Sequence, residues 1–297
     1  MLRIATRGSP LALWQARTVA ALLVETGLTA DLVVVQTEGD LDQDSPISAL
    51  SGRGVFVKGV QAAVLGGSAD IAVHSAKDLT SGPTPGMFLV GCLPRGDVRD
   101  ALVGSTLADV PVGGLVASGS ARRIAQLARL RPDIRFEGVR GNMATRIAVA
   151  ARPDVAAVVV AAAALDRLGR SDDIAERLAP DVMVPQVGQG AVAIEVRDGD
   201  RQAAEAIARI TDDVTTRCVQ AERSYLARLG GGCELPVGGL AVVEGANVRL
   251  TGLLSSRTGD RVITVTSVAT DPGPLGEMVA DEVLDEHGGR ELLAADR

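Results

Sequence analysis

The chain has 297 residues, and 46% of them are hydrophobic, which is enough to build the cores of two or three domains. Its net charge of −7 and its aromatic content of only 2% argue against nucleic-acid binding, which needs a basic surface and, for single strands, rings for base stacking. No apolar run reaches the length of a membrane-spanning helix, and strand-like sequence starts at once, without a signal peptide. We therefore expect a soluble, cytoplasmic protein with no membrane partner.

Cysteine and histidine are too scarce for several kinds of site. The three cysteines, Cys92, Cys218 and Cys233, are odd in number and widely spaced, so they indicate neither a disulfide framework nor a zinc pattern. The two histidines, His74 and His287, leave too few ligands for a His-rich metal site, and the Gly-x-Ser-x-Gly elbow of serine hydrolases is missing from the sequence. No metal is expected.

The chain opens with a strand over residues 2–5 and a helix over about residues 10–26. Ser9 is a good N-cap, and Pro10 suits the first helical position. Arg7 then sits at a strand end beside a helix N-terminus, which is a natural anion site, although an ordinary surface arginine fits the pattern too. Gln15, one turn into the helix, is equally compatible with a surface position.

The next elements predict a parallel sheet. A strand over residues 32–35 is followed by a long polar stretch, residues 38–54, of the kind that forms a lid or is disordered. Phe56 opens a helix to about residue 65, and another strand starts at Ile71. Strand, helix, strand, helix, strand in this order is typical of a βαβ unit, and a further strand is expected over residues 88–92.

The strand from Ile71 ends in an abrupt change of character. An apolar run gives way to His74, Ser75, Lys77 and Asp78. Ligands bind at the carboxyl ends of strands in open α/β sheets, so Asp78 is a candidate acid/base or charge-stabilising group. A solvated loop with an ordinary Lys–Asp pair explains the same residues.

A second α/β unit follows an apparent domain crossing at residues 93–97. Strands are expected at residues 102–103 and 115–117, and Ser120 caps a helix to about residue 130. Arg122 and Arg123 occupy its first turn, where the helix dipole disfavours each cation by about 0.3–1 kcal/mol. This placement favours a bound anion at the helix start, unless both side chains bend away into water.

Arginines accumulate beyond that helix. Residues 118–170 hold ten arginines and four acids, so the local balance is 10 − 4 = +6 in a chain of −7. Arginine suits bidentate contacts with carboxylate or phosphate. Arg140 follows a strand at residues 134–136, Arg146 lies on the next helix, and Arg167 follows the apolar strand at residues 155–160. Ordinary surface positions are expected for Arg129, Arg131 and Arg152.

A second crossing, residues 184–190, leads to a strand over residues 191–196 that should return to the first sheet. We therefore expect domain 1 at 1–93 and 191–210, domain 2 at 98–186 and domain 3 at 213–297. Domain 3 reads as a helix, three strands and a last helix over about residues 274–287. Cys233 follows three glycines, whose free backbone would let a thiol project into a cleft, but a helix stop with an incidental cysteine fits as well.

Several motifs in order make the chain similar to the porphobilinogen deaminase (hydroxymethylbilane synthase) family over essentially its whole length. The motifs are residues 4–12 (IATRGSPLA), 72–78 (AVHSAKD), 140–146 (RGNMATR), 186–191 (QVGQGA) and 231–236 (GGCELP). The resemblance implies two periplasmic-binding-protein-like (type II) α/β domains around a cleft, plus a small α+β C-terminal domain. It also implies a monomeric transferase of haem and porphyrin biosynthesis.

The resemblance implies a mechanism and a set of residues. A dipyrromethane cofactor joined by a thioether to Cys233 would prime the head-to-tail condensation of four porphobilinogen molecules with loss of ammonia, and water would release the linear tetrapyrrole. Asp78 would be the catalytic carboxylate. The other implied positions fall into three groups: Ser75, Lys77, Asp78, Ser118, Ser120, Arg122 and Arg123 at the cofactor; Arg7, Ser9, Gln15, Arg140, Arg146, Arg167 and Gln189 at substrate or product; and Phe56 in the lid.

The chain departs from the family pattern in a few places. Ala49 and Arg53 stand where lysines are common in the lid, which puts the lid's cofactor contacts in doubt. Gly119 replaces a serine, and Gly230 stands where glutamate precedes Gly-Gly-Cys in some members. A two-lobed, non-catalytic binding protein for a small anion is the competing hypothesis. It accounts for the arginines but leaves the Cys233 loop without a role.

Overall fold

The computed structural model describes residues 1–37, 54, 56–231 and 235–295. The chain divides into two compact units, residues 1–96 with 191–219 and residues 97–190 with 220–297. Ala49, Arg53 and Cys233 lie outside the described residues.

The sheet of the first unit has five strands in the order β2-β1-β3-β10-β4. The strands are β1 Leu2–Arg7, β2 Ala30–Val35, β3 Ile71–Ser75, β4 Met87–Cys92 and β10 Val192–Arg197. β1 runs parallel to β2 and β3, whereas β10 pairs antiparallel with both β3 and β4. The predicted return of the chain to the first sheet is therefore confirmed.

Helices cover both faces of this sheet. Helix α1, Pro10–Glu25, starts as predicted, because the Ser9 hydroxyl accepts a hydrogen bond from the Ala12 amide and Pro10 occupies the first turn. Its apolar residues pack with Ile4 on one face of the sheet, and helix α2, Lys58–Leu65, packs on the other. The parallel pairing of β1 and β3 brings their carboxyl ends, Arg7 and Ser75, to the same edge of the sheet.

The second unit contains another five-stranded sheet with the same plan, in the order β7-β6-β8-β5-β9. Its strands are β5 Asp100–Gly104, β6 Leu115–Ala117, β7 Arg135–Glu137, β8 Ala157–Ala161 and β9 Ile174–Leu178. Its helices are α3 Ala121–Leu130, α4 Met143–Ala150 and α5 Ala162–Arg167. Strand β9 was not predicted, because Glu176 and Arg177 interrupt its apolar pattern at the sheet edge.

The C-terminal region is a three-stranded antiparallel sheet with helices. The strands are β11 Val237–Glu244, β12 Asn247–Ser255 and β13 Val262–Ala269. Helix α6, Arg201–Ala208, packs on the sheet of the first unit, and α7, Asp213–Arg228, precedes the C-terminal strands. Helices α8 Pro272–Asp281 and α9 Gly289–Ala295 follow the strands. Tyr225 is buried against β12, where a Cβ at Gly252 would lie 2.7 Å from its ring. The short helix α9 was not predicted.

The fold class expected from the sequence is confirmed: two sheet-and-helix domains of mixed α/β type and a small C-terminal sheet domain. Within the described ranges, no helix combines the length and the apolar character needed to cross a bilayer.

Candidate functional site

The carboxyl ends of β1 and β3 and the start of α1 form a pocket in the first unit. It gathers six of the residues implied by the sequence, Arg7, Ser9, Gln15, Phe56, Ser75 and Asp78. Three segments of the chain, residues 7–15, 56–57 and 73–78, meet here, because two parallel strands end side by side.

Arg7 ends β1 and lies over the ring of Phe56. The guanidinium carbon is 4.2 Å from the ring centroid, a cation–π contact. This contact gives Phe56 a defined place in the pocket wall.

Gln15 has an internal place rather than a surface one. Only 2% of the residue is exposed, and its Nε2 donates a hydrogen bond of 2.8 Å to the Ser75 hydroxyl. The bond ties α1 to the end of β3 and so fixes the position from which the next turn departs.

Asp78 ends the short 3₁₀ turn Ala76–Asp78 that follows β3. It is half-buried and lines the pocket, and among the described residues its carboxylate has no hydrogen-bond or ion-pair partner. A carboxylate without a partner at a strand end is available to a ligand. Lys77, in the same turn, is also half-buried.

A buried polar cluster that sequence reasoning missed lies behind the same pocket. The His74 Nε2 is 3.2 Å from an oxygen of Glu195, although the angles do not make a hydrogen bond, and Gln61 Nε2 donates to that oxygen at 2.8 Å. The available signal was a charged residue, Glu195, with apolar residues on both sides of it in strand β10.

In the second unit, Arg122 and Arg123 turn inward and share one buried carboxylate. Asp100, the first residue of β5, has no exposed surface. Its Oδ2 accepts from Arg122 Nη1 and its Oδ1 from Arg123 Nε, each at 2.8 Å. Neither side chain bends into water, and the anion beside the helix start is internal.

Burial and charge act in opposite directions on this cluster. Burial alone would raise the pKa of Asp100, but the charges of Arg122 and Arg123 and their hydrogen bonds hold that pKa well below its usual range. Burial lowers the pKa of Arg123 to about 10, despite the opposing charge of Asp100. Asp100 and Arg123 are therefore both ionised at neutral pH.

Arg122 also has donors that nothing in the described structure satisfies. Its Nη1 reaches Asp100 and the Val184 carbonyl, but Nε and Nη2 are buried without a hydrogen-bond partner among the described residues. Arg122 lines a pocket together with Ser120, Gln186 and Leu235. Buried guanidinium donors at a pocket wall form a binding site for an anion.

The serines and Gln189 support this arrangement. The Ser120 hydroxyl caps α3, and the Ser118 hydroxyl, which is buried, accepts from the Ser120 amide at 3.3 Å. Gln189 has no exposed surface, and its amide donates to Asp100 at 3.1 Å and to the Val98 carbonyl at 2.7 Å. The substrate or product contact that the resemblance implies for Gln189 stays a prediction.

A steric contact explains why glycine stands at position 119. A Cβ on Gly119 would lie 2.5 Å from the Val139 carbonyl oxygen. The serine common in the family therefore does not fit this backbone.

The other arginines of the second unit that the resemblance implies are Arg140, Arg146 and Arg167. Arg140 follows β7 and has a buried Nη1 without a partner in the described part of the chain. Arg146 on α4 donates to the Gly141 carbonyl at 3.1 Å, and Arg167 at the end of α5 donates to the Gly190 carbonyl at 2.5 Å. Burial lowers the pKa of Arg167 to about 10, although Asp166 opposes the shift. Arg131 and Arg152 make ion pairs with nearby acids on the surface.

Comparison with known proteins defines the class. Residues 2–205 match the family model described as porphobilinogen deaminase, dipyromethane cofactor binding domain, and residues 216–285 match the model for its C-terminal domain. Porphobilinogen deaminase of Roseiflexus castenholzii is 43% identical over 99% of this chain and 98% of its own length. The enzyme of an Exiguobacterium species is 40% identical, covering 98% of this chain and 97% of its own.

Solved structures to which parts of the chain are similar include the methionine binding protein MetQ. It is 12% identical, with a TM-score of 0.44, over 76% of this chain and 92% of its own. A YaeC-family lipoprotein from Enterococcus faecalis has the same identity and TM-score over 71% of this chain and 91% of its own.

These matches define a transferase in which residues 2–205 form a dipyrromethane cofactor-binding domain. The chain belongs to the porphobilinogen deaminase family. Its place is in tetrapyrrole biosynthesis.

The buried cluster predicts a specific dependence of stability on acid. The pKa of Asp100 is lower in the folded than in the unfolded chain, so its stabilising effect is complete above the unfolded value, 3.8, and is lost as pH falls below it. Asp100→Asn should therefore unfold at a lower temperature than the unchanged protein near pH 6, and the gap should narrow below pH about 4. Melting curves of both proteins across this pH range measure the difference in melting temperature. A gap that is the same at every pH would contradict the assigned ionisation.

Proposed function

We propose that this chain is a hydroxymethylbilane synthase that joins four porphobilinogen molecules head to tail, with loss of ammonia, and releases the linear product with water. The observation that carries the proposal is the Asp78 carboxylate, which has no partner among the described residues and lies in the motif that the family shares. Cys233, in the matching Gly-Gly-Cys motif, would hold the cofactor through a thioether.

The residues of the second unit fit a dipyrromethane that carries carboxylate groups. The buried Arg122 Nε and Nη2 have no partner in the described structure, and the pocket they line includes Leu235, two residues after Cys233. When bound, the cofactor supplies the pyrrole end to which substrate is joined. Ser118, Ser120, Arg122 and Arg123 would hold it, together with Ser75, Lys77 and Asp78.

Asp78 would act by electrostatic stabilisation and proton handling. Its carboxylate would accept hydrogen bonds from pyrrole N–H groups and stabilise the positive charge that develops as ammonia leaves the substrate. The half-buried setting strengthens this effect, because fewer water molecules screen the charge.

The arginines would bind the acetate and propionate groups that every porphobilinogen brings. Arg7, Arg140, Arg146 and Arg167 match family positions for substrate or product, and guanidinium groups bind carboxylates with paired hydrogen bonds. Ser9 would lie beside the substrate, and Gln15 would act by holding Ser75. Gln189 would act through Asp100.

The protein would act as a cytoplasmic monomer with domains at 1–93 with 191–210, 98–186 and 213–297. Formation of product distinguishes this enzyme from a two-lobed, non-catalytic binding protein. Only an enzyme converts porphobilinogen into a tetrapyrrole whose oxidised form is detected by absorbance.

The covalent cofactor predicts a mass difference. The intact mass of the purified protein should exceed the sequence mass by one dipyrromethane, and Cys233→Ser should remove the excess, because a hydroxyl replaces the thiol that forms the thioether. Cys92→Ser is the matched control, since Cys92 is buried in β4 and should leave the excess in place. An active protein at the sequence mass would exclude the proposed attachment.

Asp78→Asn should keep the fold and lose activity. The amide has the same shape but no negative charge, so we expect kcat to fall at least about a hundredfold, the usual result of removing one stabilising group from a transition state. Asp31→Asn, on the exposed side of β2, is the control and should leave kcat unchanged. Turnover of porphobilinogen measures both, and near-normal kcat in Asp78→Asn would remove its assigned role.

A further inference from the structure

We propose that Asp100 is a positioning residue that aims Arg122 at a cofactor carboxylate and leaves one buried positive charge for that carboxylate to neutralise. The inference rests on the proposed function, and it concerns a residue that the sequence motifs did not single out.

Asp100 is held so that it cannot turn away from the arginines. One carboxylate oxygen accepts from Arg122, and the other accepts from both Arg123 and Gln189. The residue has no exposed surface, so water does not compete for these oxygens. The bond to Asp100, together with the one to the Val184 carbonyl, fixes Arg122 at its Nη1.

This fixation determines which part of Arg122 remains for a ligand. With Nη1 occupied, the unpartnered donors are Nε and Nη2, which can bind one carboxylate with two hydrogen bonds. Only 2% of Arg122 is exposed, and it lines the pocket with Ser120 and Leu235. Without the bond from Nη1 to Asp100, the Arg122 side chain would be free to turn Nε and Nη2 away from the pocket.

The charges of the cluster do not balance internally. Two guanidinium groups face one carboxylate, which leaves a net charge of +1 in a buried place, and Arg146 adds to the positive potential at Arg123. An unpaired buried charge is unfavourable, and so are buried donors without acceptors. One carboxylate of the cofactor would neutralise this charge and accept hydrogen bonds from the unpartnered donors of Arg122. The protein without its cofactor should therefore be less stable than the loaded protein.

The test compares cofactor-free protein with and without Asp100. Both forms are produced in cells that cannot make porphobilinogen and are then incubated with porphobilinogen, while intact mass follows the adduct. Asp100→Asn keeps the shape and removes the charge. We expect its initial rate of adduct formation to fall at least about tenfold, because Arg122 is no longer aimed by a charged partner.

A second readout separates positioning from a general structural role. Loading should raise the melting temperature of the unchanged protein, and the rise should be much smaller in the Asp100→Asn form. A residue that matters only for folding would lower the melting temperature of cofactor-free and loaded protein equally and leave the loading rate unchanged.

Asp97→Asn is the matched control. Asp97 also lies between two arginines, Arg99 and Arg177, each at 2.7 Å, and it precedes Asp100 by three residues. Neither arginine lines the pocket of Arg122. The control should load at the normal rate.

If Asp100→Asn does not fold, the Gln189→Met variant tests the inference instead. It removes one hydrogen bond to Asp100 without changing any charge and should slow loading in the same direction but by less. Normal loading by the folded variants, with a normal rise in melting temperature, would overturn the inference. An unchanged protein that never gains an adduct would instead refute the proposed function.

Discussion

A fully buried carboxylate shared by two guanidinium groups is the interaction on which the cofactor side of the site depends. Asp100 lies at the first residue of β5, and Arg122 and Arg123 lie in the first turn of α3. Neither arginine would be stable in this interior without the carboxylate, because burying an unpaired charge is strongly unfavourable. The ion pairs therefore decide which side of α3 faces inward and which donors of Arg122 remain unused.

A second constraint places the catalytic candidate. Parallel pairing of β1 with β3 brings Arg7 and Ser75 to one sheet edge, and the turn after Ser75 carries Asp78. The hydrogen bond from Gln15 to Ser75 holds that edge to α1. Asp78 itself has no hydrogen-bond or ion-pair partner among the described residues.

Most strands and helices were predictable from local sequence, and the reasons are physical. Ser9 and Pro10 mark a helix start, and apolar runs such as residues 71–73 mark buried strands, because both signals act over a few residues. The strand return at β10 was also predictable. Strand β9 was not, because its charged residues at a sheet edge are solvated on one side.

The side-chain contacts that support the site were not predictable from local sequence. The arginines of α3 pointed to an anion, but the sequence contains no local sign that the anion nearest them is Asp100, 22 residues earlier. Glu195 and Gln61 meet across 134 residues, and Gln189 reaches Asp100 across 89. Such contacts depend on which strands become neighbours, so they appear only once the sheet is assembled. The glycine at position 119 also depends on a contact of this kind, because the Val139 carbonyl lies too close for a side chain.

The most direct test of the account is an experimental structure of the protein loaded with its cofactor. The distance to measure joins Arg122 Nη2 to the nearest carboxylate oxygen of the cofactor. We predict about 2.7–2.9 Å, the length of a charge-assisted hydrogen bond, with Asp100 still bonded to Arg122 Nη1. A cofactor whose carboxylates are bound by other residues, with Arg122 donors left empty, would contradict it.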